Sequence, residues 1–472
     1  EMAHADGGWM SRYTIFTWPE DRFLAKRPLR ILQPSPDAAT LQPPSWLQNH
    51  TYTPSIALLN TNMQNQLNCS QCYALVTFRA DWANGCNGKI LRDAYAEAKT
   101  TLLGVRKATL VALVTERFHV IARGWLQLVK AGAPRSTATS LEDGLRHAAA
   151  IVDARLFTYR GRPWLMGSRV APSSHWQTAY GPLHLHIARA KERHPAAGPR
   201  SLIVWQHEST TQELTTKPCS GRSQAFFDAH TSVLGSGEGE GLRAPLRVLS
   251  WLSPRSLVCS PRRSDSPAAA ALVPPALTAT PSRSDSLTEH YGRGLGGFLL
   301  QLRQSGGCVQ SAGGRLDAPA TCRLSLNGVL IPLAGSGMLL GIAHMHRGHR
   351  NTLGGRKLPH TVMFGAHHYT HVFFAARPRA RATTTLGHSA PDSPAADAAL
   401  DVTMVGSEFC LGRRRPSQPT AARLDCEVVQ YVTGLVQHGD ELWITYGAND
   451  CTPLLATLPV AMVLDDLRNV TM

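Results

Sequence analysis

The 472-residue chain has few lysines: eight of its 48 Lys and Arg residues are Lys, although the formal net charge is +15. Arginine bias with abundant Ala, Gly and Pro is as typical of a GC-rich coding sequence as of a binding surface. Nucleic-acid-binding proteins usually cluster their charge and interleave it with aromatic residues. The densest basic runs here, residues 262–263 and 413–415, lie beside Pro and Ser. We therefore expect solvated loop charge and no nucleic-acid partner, with an anionic partner such as phosphate or an acidic glycan as the alternative.

The sequence also lacks the run of about 20 apolar residues that a membrane-spanning helix needs. The nearest candidate, residues 329–343, contains Pro332 and three glycines. Proline and glycine in such a segment favour strands and turns. We expect no membrane-spanning segment in this chain.

Several catalytic motifs are missing as well. The chain has no Gly-x-Ser-x-Gly nucleophile elbow, because the segment 335–337 (GSG) is too short. The glycine-rich segment 292–297 lacks the Lys-Ser/Thr ending of a phosphate-binding loop. An Asp-x-Asp motif of nucleotide-sugar transferases is absent too, so we expect neither a transferase of that type nor a bound cofactor.

Ten cysteines, an even number, are compatible with disulfides without defining their pairing. Cys69-x-x-Cys72 has no second Cys-x-x-Cys partner, which argues against a zinc site. Asn-x-Ser/Thr sequons occur at Asn49, Asn68 and Asn469. Cysteines and sequons together favour an oxidising compartment, the lumen of the secretory pathway (Golgi) or the extracellular space.

Short alternating segments bounded by turns predict many strands. Two hairpins are indicated by Gly turns at residues 160–162 and 438–440. Residues 89–130 have a helix-compatible composition and predict a short helical decoration. The predicted strands are 52–59, 73–79, 154–159, 163–167, 183–188, 201–206, 246–252, 322–333, 338–343, 370–375, 428–434 and 441–446.

The chain organisation follows from these strands and from segments of low complexity. Residues 255–290 and 377–399 are rich in Ser, Pro and Ala and are predicted to be disordered insertions. Residues 1–45 are interpreted as an N-terminal extension, and residues 46–472 as a single domain. Many short hairpins with helices confined to one segment predict an all-β propeller, sandwich or barrel.

Several motifs identify a family resemblance. The segment 153–157 (DARLF), a Gly turn and the segment 164–168 (WLMGS) resemble the Glu-Asp-Pro-Arg-Leu-Phe hairpin of five-bladed β-propeller glycosidase-like proteins, which include β-mannoside phosphorylases and hydrolases. The segment 446–450 (YGAND) resembles the Tyr-Gly-Ala-Ala-Asp motif of their last blade. Further matches, in the family's order, are residues 53–57 with 78–79, 341–344, 369–374, 407–410 and 429–435.

The resemblance implies a five-bladed β-propeller acting on a glycan, with inorganic phosphate as a possible second substrate. The later matches are similar to a subgroup whose propeller often accompanies glycosyltransferase domains, which implies a glycosyltransferase partner. Two departures oppose activity: the family's Glu and Pro beside the aspartate are Val152 and Ala154 here. The Gly-rich, Pro-Pro-containing segment associated with phosphate binding in true phosphorylases is not evident either.

Glycosidic cleavage needs a carboxylic acid for the leaving oxygen and a nucleophile on the opposite face of the sugar. Asp153, at the entry to a predicted inner strand, is the first candidate for the acid, or for a ligand of a sugar hydroxyl. Asp450 and Glu408 are candidates to assist water or substrate. Each has a structural alternative: a turn aspartate for Asp153, a cap of the following turn for Asp450, and an exposed edge residue for Glu408.

The candidate substrate-binding residues are Arg79, Arg155, His344, His371 and Tyr446. Arginine at a strand end could hold sugar hydroxyls, a carboxylate or a phosphate, or form a salt bridge between blades. Tyr446 could stack on a sugar ring or pack in the core. His344 and His346 share a strand face, but no carboxylate partner accompanies them, so we expect no metal.

Three functions are compatible with these residues. The first is an inverting glycoside hydrolase or phosphorylase acting on a β-mannoside-like glycan. The second is a catalytically inactive propeller that binds glycan and assists a partner glycosyltransferase. The third is an interaction scaffold without a sugar site.

Overall fold

The structure is a computed structural model of the full chain. It describes the following residues: 15–17, 30–32, 51–81, 107–129, 148–149, 151–159, 161–170, 176–188, 200–207, 212–214, 224–228, 246–250, 258–259, 324–326, 328–333, 336–347, 368–378, 400–411, 430–448 and 452–469. Within these ranges the chain is mostly β, which confirms the all-β prediction.

The described strands are short. In chain order they are β1 (Ile15–Thr17), β2 (Arg30–Leu32), β3 (Thr51–Leu58), β4 (Ala74–Asp81), β5 (Lys107–Val114), β6 (Val120–Val129), β7 (Val152–Tyr159), β8 (Arg162–Val170), β9 (Trp176–Pro182), β10 (His184–Ile187), β11 (Arg200–His207), β12 (Gln212–Leu214), β13 (Gln224–Asp228), β14 (Leu246–Ser250), β15 (Val258–Cys259), β16 (Leu324–Leu326), β17 (Gly328–Val329), β18 (Ile331–Leu333), β19 (Met338–Arg347), β20 (His368–Pro378), β21 (Leu400–Leu411), β22 (Gln430–His438), β23 (Glu441–Ala448), β24 (Thr452–Pro459) and β25 (Arg468–Asn469). The helices are α1 (Thr61–Gln66) and α2 (Val460–Asp466). Tight turns join β7 to β8 and β22 to β23.

Five sheets are formed by the described strands, and most neighbours are antiparallel. Their orders are β10-β11-β6-β5-β4-β3, β12-β9-β8-β7, β15-β14-β13-β17, β1-β2-β21-β20-β19-β16 with β18 on β19 and β25 on β21, and β22-β23-β24. Successive up-and-down strands in separate sheets are what a meandering all-β chain produces. None of the helices in the described part of the chain is long and apolar enough to cross a membrane.

Three sheets meet through their first strands, β3, β7 and β22. Strand β3 packs against both β7 and β22, and the short strand β17 packs against the latter two. Each first strand has a register shift close to its start, at residues 52–55, 152–155 and 432–434. In β3 and β7 the shift includes a residue with positive φ, Thr53 (54°) and Asp153 (55°). Bulges of this kind redirect side chains at strand ends.

One buried hydroxyl connects the three first strands. Ser55 on β3 accepts a hydrogen bond from the backbone N–H of Leu156 on β7 at 2.8 Å. The same hydroxyl donates to the backbone carbonyl of Thr433 on β22 at 2.9 Å. A second hydrogen bond joins the same two strands: the hydroxyl of Thr433 on β22 donates to the carbonyl of Pro54 on β3. Ser55 is fully buried, so these bonds replace water for backbone groups that have no solvent access.

A glycine on β22 allows β3 to approach closely. A Cβ atom at Gly434 would lie 2.2 Å from Thr445 Oγ1 and 2.9 Å from the backbone N of Ile56. We expect Gly434→Ala to lower the free energy of unfolding by about 1–3 kcal/mol, because overpacking forces the strands apart. Chemical denaturation measures this. Gly439→Asn is the control, since Gly439 lies in an open turn with a φ of 57° that Asn tolerates. An equal loss of unfolding free energy in both variants would contradict the prediction.

The predicted helical decoration at residues 89–130 is wrong where the structure describes it. Residues 107–114 and 120–129 form the adjacent antiparallel strands β5 and β6. Their apolar side chains are buried, among them Leu110, Val111 and Trp125. A strand buried on both faces shows a continuous apolar run and not an alternating one, and such a run resembles a helix in composition.

Other predictions for the strands can be compared directly. Both Gly-turn hairpins are confirmed: β7 and β8 flank Gly161 (φ 67°), and β22 and β23 flank Gly439. The single strand predicted at 322–333 is replaced by three short strands, β16, β17 and β18. From residues 1–45 the structure describes β1 and β2, which extend the sheet of β21. Apart from β15 and the end of β20, the predicted insertions lie outside the described residues.

The first and last sheets pack together through an aromatic contact. Trp443 on β23 lies 5.0 Å from Phe118 and 5.9 Å from Tyr73, measured between ring centroids. His438 also lies against Trp443 at 4.6 Å, and its Nε2 is 3.6 Å from Glu116. Burial, with a smaller contribution from the Glu116 carboxylate, raises the pKa of Tyr73 above its ordinary value of 10.0.

This raised pKa has a measurable consequence. Because folding favours the neutral phenol, the unfolded chain ionises first, and stability decreases as the pH rises through 10.0 towards the folded pKa of Tyr73. We expect Glu116→Gln to lower that pKa by removing the Coulombic contribution. An ultraviolet phenolate titration, assigned with Tyr73→Phe, measures it. The control Asp465→Asn on α2 should leave the titration unchanged. The prediction is contradicted if Glu116→Gln does not change the pKa of Tyr73.

Candidate functional site

The start of β7 brings a carboxylate to a guanidinium on the neighbouring sheet. Asp153 Oδ1 lies 3.2 Å from Nη1 of Arg79. Arg79 is near the end of β4, opposite Tyr52 at the start of β3, because the two strands are antiparallel. The Arg79 and Asp153 side chains are 12% and 14% exposed, so a solute can reach them. The two predicted site residues therefore form an ion pair between sheets.

Arg155 lies two residues further along β7 and is almost completely buried. Its Nη2 donates a hydrogen bond to the hydroxyl of Tyr431 on β22. The Arg155 guanidinium carbon also lies 5.7 Å from the centre of the Tyr431 ring. A buried arginine fixed by a phenol and an aromatic face presents its charge in a defined direction.

The sheet of β19 and β20 adds an imidazole, His344, beside Tyr431. The ring of His344 lies edge-on to Tyr431 at 5.3 Å and to Tyr369 at 5.4 Å. His344 pairs across the strands with His371, and the two ring centres are 6.4 Å apart. His371 is fully buried and stacks on Phe409 at 5.6 Å. Three sheets thus contribute polar rings and charges to one group.

The first-strand site is defined here as Arg79, Asp153, Arg155, Tyr431 and His344. Its described side chains carry two positive charges and one negative charge. Guanidinium, phenol and imidazole groups donate hydrogen bonds to hydroxyl or anionic oxygens, and the carboxylate accepts them. The site can therefore bind a hydroxyl-rich or anionic ligand.

The remaining predicted residues are placed differently. Tyr446 is fully buried in the apolar cluster of the last sheet, among residues such as Leu435 and Ile444. Glu408 belongs to β21, opposite Val372 on β20, but its side chain lies outside the described residues. Asp450 also lies outside the described residues. Among the predicted residues, Arg79 and Asp153 form one ion pair, and Arg155 joins His344 through Tyr431.

Sequence reasoning did not select Tyr431, which connects Arg155 to His344. The residue lies within the 429–435 motif of the family resemblance, so the segment was recognised but not this role. A usable signal existed, because Tyr431 stands at the start of a first strand, as Asp153 does. Polar residues at equivalent strand starts are expected to converge in a sheet assembly of this kind.

No group of three or more metal-ligating side chains comes together within the ranges that the structure describes. Cys69 and Cys72 are joined by a disulfide. The side chains of the other cysteines lie outside the described residues.

Comparison with known proteins gives matches among solved structures alone. No protein-family model matches the chain, and none of the curated proteins matches it. A mannose phosphorylase from Leishmania mexicana, solved with phosphate ion, is 10% identical, with a TM-score of 0.35 and coverage of 90% of this chain and 89% of that chain.

Two further solved structures show the same degree of similarity. A β-1,2-mannobiose phosphorylase from Listeria innocua is 11% identical, with a TM-score of 0.36 and coverage of 96% and 99% of the two chains. A GDP-Man-dependent mannosyltransferase from Leishmania mexicana is 10% identical, with a TM-score of 0.37 and coverage of 87% and 85%. Mannoside phosphorylases, which the sequence resembles, thus occur among the similar structures.

Proposed function

We propose that the five sheets are the blades of a propeller and that the first-strand site binds a glycan and cleaves it as a glycoside phosphorylase or hydrolase. The β-mannoside-like substrate follows from the sequence resemblance. The observation that supports the site is the Arg79–Asp153 pair at the start of β7, two residues from the buried Arg155. This pair is partly exposed, whereas its surroundings are buried, as expected at the bottom of a binding cleft.

The proposed chemistry is an inverting displacement. Asp153 gives a proton to the glycosidic oxygen, and an oxygen of water or phosphate attacks the anomeric carbon from the opposite face as the old carbon–oxygen bond breaks. In the ion pair the carboxylate accepts a hydrogen bond from Arg79. If a sugar hydroxyl or a phosphate oxygen accepts the hydrogen bond of the Arg79 guanidinium in place of Asp153, the Asp153 carboxylate is free to bind a proton. Asp450 and Glu408 remain the candidates to assist water.

Phosphorolysis is favoured over hydrolysis by the charges of the site. Asp153 is accompanied by two arginines and an imidazole. A phosphate brings its own nucleophilic oxygen and is attracted by the arginines.

A second candidate is glycan binding without turnover, in support of a partner glycosyltransferase in the secretory pathway. The residues beside Asp153 favour it, since Val152 and Ala154 replace the Glu and Pro of the resembling family. Engagement of Asp153 by Arg79 also suits a residue that only orients sugar hydroxyls.

The deciding experiment incubates the full chain with a panel of β-linked mannosides and other oligosaccharides, with and without inorganic phosphate. Release of a sugar 1-phosphate supports phosphorolysis, and release of free sugar without phosphate supports hydrolysis. Binding on a glycan array without any turnover supports the second candidate. The absence of both binding and turnover across the panel would overturn the proposal.

A further inference from the structure

A cavity lies between the first two sheets, away from the first-strand site. Its volume is about 370 Å³, within the size range of small-molecule sites. Helix α1 contributes Met63 and Gln66, the start of β8 contributes Arg162, and the third wall is formed by His184 and Trp205. The cavity therefore draws on four separate segments of the chain.

The cavity lies at the ends of β3 and β7, whereas the first-strand site lies at the start of β7. Helix α1 follows the end of β3, and Arg162 follows the end of β7, whereas Asp153 lies at the start of β7. Asp153 and Tyr159 are six positions apart on this extended strand, which corresponds to about 20 Å. A ligand in this cavity does not reach the first-strand site.

Specific contacts hold the walls in place. Asn60 caps α1 by accepting the N–H of Met63 at 2.9 Å, and its amide donates to the carbonyl of Gly161 at 3.4 Å. Gln64 donates to the carbonyl of Cys72 at 2.8 Å, next to the Cys69–Cys72 disulfide. The helix is thereby fixed to the β7–β8 turn, and the cavity is preformed.

The lining has a defined chemical character. The imidazole of His184 stacks on the indole of Trp205, with 5.4 Å between ring centres and 12° between planes. Leucine, proline and methionine side chains supply the apolar part of a mixed lining, and Gln66 adds a polar amide. The exposed Arg162 and the partly exposed His184 are the lining side chains that can carry positive charge, and the lining contains no Asp or Glu. A flat aromatic stack with a cationic side chain at the rim complements a planar ring that bears a negative group.

We propose that this cavity binds a small planar organic anion, an aromatic ring carrying a carboxylate or a phosphate. The ring lies beside the His184–Trp205 stack, and Arg162 holds the anionic group at the rim. This assignment is independent of the proposed glycan chemistry.

Calorimetric titration of the full chain with 2-naphthoate, 2-naphthyl phosphate and the neutral 2-naphthamide tests the proposal. We expect both anions to bind and Arg162→Gln to weaken their binding by about two- to fivefold, as expected for an exposed charge pair. The affinity for 2-naphthamide should not change in this variant. The two anions also distinguish a carboxylate ligand from a phosphate ligand.

Three variants sharpen the test. Arg117→Gln removes an exposed arginine outside the cavity and should leave every affinity unchanged. Leu185→Trp fills the cavity and should abolish binding of all three probes, provided that circular dichroism shows an intact fold. Asp153→Asn should not affect binding, which separates this cavity from the first-strand site. The proposal is overturned if no anion binds at millimolar concentration, if Arg162→Gln weakens anion and amide equally, or if inorganic phosphate alone competes as well as the naphthyl anions.

Discussion

Replacing Ser55 by Ala is expected to lower the free energy of unfolding by about 2–4 kcal/mol, because two buried backbone groups lose their partner at once. The N–H of Leu156 loses an acceptor at 2.8 Å, and the carbonyl of Thr433 loses a donor at 2.9 Å. Both groups belong to different sheets, so the loss affects the association of three first strands. Urea denaturation monitored by tryptophan fluorescence measures the change.

The matched control for this prediction is Ser70→Ala. Ser70 is exposed in the turn after α1, where water replaces any lost hydrogen bond. Its expected effect is within about 0.5 kcal/mol. If Ser55→Ala is as stable as Ser70→Ala, the hydroxyl of Ser55 does not join the first strands.

The second large effect is expected at the carboxylate of the first-strand site. If Asp153 is the proton donor of the proposed reaction, Asp153→Asn should lower kcat by about 10²–10⁴-fold. The fold should be retained, because Asn tolerates the positive φ of 55° at this position. Its amide oxygen can still accept the hydrogen bond of Arg79. The measurement is steady-state turnover of the best substrate from the glycan panel.

Asp440→Asn provides the control, because Asp440 lies exposed in the β22–β23 turn. It should leave kcat unchanged. Full activity in Asp153→Asn would show that Asp153 is not the acid, and Glu408 and Asp450 would then be the candidates for that role. Loss of glycan binding together with activity would instead indicate an orienting role.

Turn chemistry and alternation made much of the fold predictable. The β7–β8 and β22–β23 hairpins were predicted because Gly161 and Gly439 adopt positive φ, a requirement that is visible in sequence. The sequence predicts helix for strands β5 and β6, because strands buried on both faces lack the alternation of apolar and polar residues. Their identity depends on neighbouring strands, which local composition does not contain.

The candidate site was predictable in part for a similar reason. Asp153 and Arg155 were selected because they stand at the entry of a strand, and the ion pair of Asp153 with Arg79 links two sheets. Tyr431 was not selected, since its partner Arg155 is 276 positions away in sequence. For Tyr446 the sequence leaves sugar stacking and core packing open, because alternation alone does not say which face of a strand is covered. The structure places this ring in the apolar core.

The bond between Ser55 and Thr433 also has a consequence for biosynthesis. The two residues are 378 positions apart, so the ribosome needs roughly 20–80 s after adding Ser55 to reach Thr433. During that interval Ser55 and the neighbouring part of β3 lack their partners on β22. The chain is therefore expected to need protection by a chaperone until its C-terminal strands emerge, and a truncation before β22 should yield an aggregating product.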